Sequence, residues 1–158
     1  MESLIFLLTF LAALGSGVMA GLFFAFSAFI MRAFGRLPWA SGIAAMQSIN
    51  VTILNPVFFA VFLGTPAACV LLAIAAVVRW PEPGSLYLLV GSLLHLVGSF
   101  VVTVAFNVPL NNRLAAVSAD SLEGATVWTD YLSIWTAWNH VRTLACLAAT
   151  ASFIMALR

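Results

Sequence analysis

Residues 131–146 carry more chemistry than any other stretch: Tyr131, Trp135, Thr136, Trp138, Asn139, His140, Arg142, Thr143 and Cys146 within sixteen positions. They open the last long apolar segment, where polar and ionisable groups are costly and face protein or a cavity. At 100° per residue Tyr131, Trp135, Asn139, Arg142 and Cys146 share one helical stripe, and Thr136, His140 and Thr143 share a neighbouring one. One helix therefore offers a cation, an amide, an imidazole and aromatic walls. Arg142 is the most informative residue, because a guanidinium keeps its charge and a buried charge needs a partner. No Asp or Glu occurs in any apolar span. Its partner is then a folded-back loop acid (Asp120, Glu123 or Asp130), a cage of asparagines and carbonyls, or an anion. That anion is a ligand or a charge developing during a reaction. His140 has a plain alternative, a hydrogen bond to Thr136 or a carbonyl. Trp135 and Trp138 suit either the aromatic belt of a membrane or the walls around a flat substrate.

The elements that position these groups must be membrane helices. Of 158 residues, 64% are hydrophobic and 7% charged, against about 25% charged in a soluble domain. A formal net charge of +1 provides no basic patch, which excludes nucleic acid as a partner. Cys69 and Cys146 lie in apolar segments and read as packing residues. The N-terminal apolar run lacks a preceding Lys or Arg and reaches about residue 31, too long for a signal peptide core.

Hydropathy predicts an all-α, four-helix transmembrane bundle in one domain, 1–158, with spans at about 3–31, 53–79, 86–107 and 132–157. Gly17 and Gly21 make a small-xxx-small face on the first. Residues 40–50 are predicted to extend the second helix along the interface, opened by Pro38. Pro56 and Pro66 are expected to kink it. Asn107 to Arg113 should end the third span, and a short helical loop with Ser118, Asp120, Ser121 and Glu123 should precede the fourth. An even number of spans puts both termini on one side. Arg32, Arg36 and Arg113 against Arg79 and Arg158 lean the long connections toward the cytoplasm. The inner cell membrane is the expected location of this multi-pass protein, and a homo-oligomer stays open.

Helical rise puts His140 roughly 13 Å, and His95 roughly 18 Å, from the long-loop end of their helices. Asn55 enters from that end, and Asn107, Asn111 and Asn112 rim it. The polar groups thus gather in one half of the bundle. His95, with Ser92 and Ser99 at helical spacing, reads as a hydrogen-bonded packing histidine or a second functional one. Two histidines without a carboxylate make a poor metal set, so no metal, haem or flavin is expected.

Three strings carry a resemblance to a known family: Gly42 to Asn50 running into Leu54-Asn55-Pro56, Asn107 to Asn112, and Trp135 to Thr143. With them the chain resembles the anthrone oxygenases, small integral membrane proteins. The resemblance implies oxidation of an enolisable aromatic, such as a polyketide anthrone, to a quinone, with dioxygen as co-substrate and no cofactor. The residues suit that chemistry, with His140 as general base and Arg142 with Asn139 as stabilisers of the enolate oxygen. Asn55, Asn107, Asn111, Asn112, Trp135 and Trp138 would bind the lipophilic aromatic. His140 and Arg142 are two residues apart, about 200° around a helix, so they reach one ligand only through a kink or a long arginine reach. Two other classes use the same features: a binding or transport protein for a lipophilic or anionic molecule, and a partner subunit whose polar helix docks a second membrane protein.

Overall fold

The computed structural model describes residues 2–158, with side chains from Ser3 onward. The first helix, α1 (Glu2–Ala25), passes through a π turn, π1 (Phe26–Ile30), into α2 (Met31–Phe34). Next come α3 (Trp39–Thr52) and α4 (Pro56–Val78). The third rod is α5 (Ser85–His95), π2 (Leu96–Val101), π3 (Thr103–Asn107) and α6 (Val108–Ala115), and α7 (Leu122–Ala156) closes the chain. α1 packs on α4 and α7, and α5 packs on the same two. The predicted four-helix bundle is therefore a ring in which α1 and α5 are diagonal partners.

Ser3–Phe34, Pro56–Val78 and Ser85–Ala115 are each long and apolar enough to cross a membrane. α7 is longer still at 35 residues, but Asn139, His140 and Arg142 dilute its apolar content and it is not among the three. Leu7, Leu14, Leu71, Leu93 and Leu144 all point outward and are about half exposed or more. A surface so apolar is matched to lipid rather than water.

Three boundaries differ from the sequence expectation. α3 is a separate helix, not an extension of the second span. Asn55 is extended (φ −122°, ψ 161°) and its side chain accepts from Phe58 N, as a residue before proline should. Pro56 thus opens α4 instead of kinking it. The third rod does not stop at Asn107 but runs to Ala115: Asn107 and Val108 keep helical dihedrals, and Pro109 follows directly on the π turn π3. The fourth helix starts at Leu122, ten residues before the predicted span. There the Ser121 hydroxyl accepts from Gly124 N, with Glu123 in the first turn. Apolarity marks the hydrocarbon-matched part of a helix, and the cap marks its start.

α7 is about 52 Å long, well beyond a hydrocarbon core of about 30 Å. Its first turns form a cap domain with α3 and α6. Ile43, Met46, Leu114, Val127, Trp128 and Tyr131 cluster there. Gln47 Nε2 donates to the carbonyls of Leu114 (2.9 Å) and Val117 (3.1 Å), pinning α3 to the end of the third rod. At the opposite end Ala12, Cys69, Leu72, Leu88, Ala149 and Phe153 form a second apolar cluster. Gly84 begins α5 with φ +87°, a conformation that needs glycine, and it sits against the Ala156 carbonyl. The α4–α5 turn and the C-terminal end of α7 therefore lie together.

Candidate functional site

Between these two clusters, beside a third apolar cluster of Met19, Ala20, Phe23 and Cys146, the bundle interior carries buried polar groups. Arg142 is buried, with 4% of its surface exposed. Its Nη2 donates to Asn139 Oδ1 (2.7 Å) and its Nη1 to Thr103 Oγ1 (3.2 Å). Its guanidinium carbon sits 4.2 Å from the Phe23 ring centroid and 5.0 Å from that of Trp135. Such aromatic faces are attractive to a cation, the more so when it is desolvated. The third donor, Nε, has no partner among the described residues. The loop acids are not its partners. Asp130 pairs with Arg113 at 3.1 Å, and Asp120 accepts from the Ser118 hydroxyl at 2.6 Å, which holds that exposed carboxyl below its ordinary range. Of the partner types weighed for Arg142, the asparagine cage is present and the loop acids are not.

Asn139 is fully buried and uses both amide hydrogens and its oxygen to build this cage. Its Nδ2 donates to Phe23 O and to Ser27 Oγ, both at 2.7 Å. Ser27 in turn bonds Thr143 Oγ1 (3.1 Å), which donates back to Asn139 O (2.9 Å). The π turn helps: a change from i+4 to i+5 bonding disturbs the local ladder and frees acceptors, and Phe23 lies just before π1. Thr103 opens π3 and Asn107 closes it. Asn107 Nδ2 donates to Trp135 O at 3.2 Å. All three π turns thus lie beside the polar face of α7, two of them bonded to it directly.

Arg142 lines a cavity of about 220 Å³ with Phe23, Phe26, Asn50, Thr103, Asn111 and Trp135, closed further by Phe58 and Phe62. Asn111 Oδ1 accepts from both Tyr131 Oη (2.7 Å) and Trp135 Nε1 (2.8 Å). Tyr131, Trp135 and Trp128 stack along α7 at 5.6–5.7 Å between centroids, and Phe26 meets Trp135 edge-on. The cavity is a largely apolar, aromatic-lined slot with a cation on one side.

The sequence-predicted residues separate into two groups. Arg142, Trp135 and Asn111 line the cavity, and Asn139 holds Arg142 from behind. His140 does not join them. It is exposed on the far side of α7, because a straight helix turns it about 200° from Arg142 and no kink intervenes. Trp138 likewise faces outward, stacked on Phe106 at 3.8 Å. Asn55 is an exposed cap for α4, and Asn112 is exposed on α6. Asn107 is buried as a brace to α7. His95 is 1% exposed and shares a hydrogen bond with Ser16 Oγ across the bundle at 3.0 Å, outside the cavity lining. Among the described residues no three His, Cys, Asp or Glu side chains gather as a metal set.

Sequence reasoning missed Asn50 and Thr103 as site residues. Asn50 sits in α3, whose register against α7 cannot be read from periodicity. Thr103 had a signal: Ser92, His95, Ser99, Thr103, Asn107 and Asn111 recur at three or four residues along the third rod.

Compared with known proteins, the chain matches the family model described as anthrone oxygenase over residues 57–152. That stretch covers α4, the third rod and most of α7. No curated protein and no solved structure matches.

Proposed function

The chain belongs to the anthrone oxygenase family, and on that premise we propose that it is a membrane-embedded oxygenase of an enolisable, lipophilic aromatic, with the Arg142 cavity as its site. The proposed reaction takes a polyketide-type anthrone to the quinone with dioxygen as co-substrate and no resident cofactor. One observation carries the assignment to this cavity: a buried guanidinium without a carboxylate partner among the described residues, in an aromatic-walled slot within the bundle. An anthrone loses a C–H proton to give an enolate, and Arg142 stabilises the oxygen on which that charge develops. The proton passes to solvent. The enolate gives one electron to dioxygen, and the radical pair joins as a peroxide. Protonation of the peroxide and loss of water leave the carbonyl. Phe23, Phe26 and Trp135 align the rings, and Asn139 keeps Arg142 in place. In this scheme His140 has no part, since it lies off the cavity. Substrate and dioxygen both partition into lipid, which favours a membrane site. The inner cell membrane is the proposed compartment.

Oxygen uptake by purified protein with an anthrone tests the proposal, read against autoxidation without protein. Wild-type protein should exceed that background. Arg142→Lys, which keeps the charge but loses the planar fork, should lower turnover about tenfold or more. His140→Ala should retain the wild-type rate. Uptake no faster than background would sink the oxygenase reading. Among the described residues the cavity lining holds no imidazole and no carboxylate, which favours a second reading, a binding or transport protein for the same ligand class. Saturable binding without uptake would identify it.

A further inference from the structure

The polar side chains of the cavity bring more free donors than free acceptors. Arg142 Nε is a buried N–H donor without an acceptor among the described residues, and Asn50 Nδ2, beside the Tyr131 hydroxyl, makes no bond of full hydrogen-bond geometry there; both residues line the cavity. Asn111 has its Oδ1 committed to Tyr131 and Trp135, which leaves its amide N–H groups for anything bound beside it. Thr103 spends its proton on Ser99 O (2.7 Å) and takes Arg142 Nη1 on its oxygen. Buried donors left unpaired cost about 1–3 kcal/mol each, more for charged ones, so an acceptor bound against Arg142 and Asn50 would offset that cost. A donor-rich slot with a cation and aromatic walls suits a flat ring bearing a negative oxygen.

We propose that the cavity is a receptor for aromatic oxyanions, phenolates and enolates, in which Asn50 is a binding residue alongside Arg142. The site takes its ligand as the conjugate base and so acidifies it on binding, whether or not dioxygen is present. Ionisation breaks the ligand O–H or C–H bond, leaves the electron pair on the ring system and releases the proton to solvent. This rests on the Arg142 cavity being the site, but not on turnover there.

The test is an anaerobic titration of the purified full chain in detergent with 4-nitrophenol, whose phenolate differs in colour from the phenol. The ether 4-nitroanisole, which cannot ionise, is the control ligand. Below the free ionisation midpoint, bound 4-nitrophenol should show the phenolate spectrum, its midpoint lowered by a pH unit or more. It should bind at least about tenfold tighter than the ether. Asn50→Leu should weaken phenolate binding about tenfold, the scale of one hydrogen bond to a charged group, and leave the ether unchanged. Arg142→Lys should return the ligand midpoint toward its free value. A neutral phenol spectrum at saturation, or equal affinity for phenol and ether, would overturn the proposal. So would equal losses for both ligands in Asn50→Leu, a variant on the half-buried edge of α3 that spares the Arg142 cage. Phenolate binding without oxygen uptake from an anthrone keeps the receptor and removes the oxygenase; uptake without phenolate binding does the reverse.

Discussion

At the scale of residues, the site is a charge placed where its cost is spread over many weak partners. Arg142 has one asparagine oxygen, one hydroxyl and two aromatic faces. None is a carboxylate, so the guanidinium is held without being neutralised. Asn139 is the residue on which this depends. Replacing it with Leu would strip an acceptor from Arg142 and donors from Phe23 O and Ser27. Orphaned buried groups cost about 1–3 kcal/mol each. Asn139→Leu should therefore lower the thermal midpoint of the detergent-solubilised protein and reduce turnover together. Ser27→Ala removes one partner and should cost less on both measures. Equal midpoints for Asn139→Leu and wild type would show that the cage contributes no stability.

At the scale of elements, the π turns and small residues decide which side chains meet. Gly98 lies within π2, and a Cβ there would come within 2.4 Å of Ala145 Cβ on α7. That close approach draws the polar stripe of the third rod against α7. Gly98→Ala should be destabilising by about 1–3 kcal/mol, the usual cost of overpacking. Ala145→Gly removes the atom in conflict and leaves the next at 3.8 Å. The double variant should recover most of the lost stability in thermal unfolding. Additive losses in the double variant would mean the two positions are not in register. Similarly, Gly42 faces the Trp128 ring, where a Cβ would meet Cζ2 at 2.8 Å, so α3 can seat on α7 only with glycine there. Asn50 reaches the cavity from that seat.

At the scale of the whole molecule, four rods enclose buried polar groups between two apolar clusters and beside a third. The cavity lies toward the end that carries α3, α6 and the protruding start of α7. The α4–α5 turn and the C-terminal end lie at the opposite end. Four antiparallel crossings would bring both termini to one membrane face. Tags at residues 1 and 158 should then react alike with a membrane-impermeant label, and opposite reactivity would refute the bundle topology.

The sequence by itself determined the helical class, the lipid-facing composition and the unusual polarity of residues 131–146, because hydropathy and the 3.6-residue period are local properties. It also singled out Arg142 and the stripe it shares with Trp135 and Asn139, since side chains three or four apart on one helix must share a face. Helix starts were legible where a cap marked them, as Ser121 does, once apolarity was not used as the boundary. Only the tertiary structure decided what each polar group faces. His140 and Arg142 are nearly adjacent in sequence and equally suggestive, yet α7 stays straight and turns one outward while burying the other. Asn50 and Thr103 come to Arg142 from two other helices, through contacts set by Gly42, Gly98 and the π turns. Those depend on how helices seat on one another, which the period of one helix does not contain.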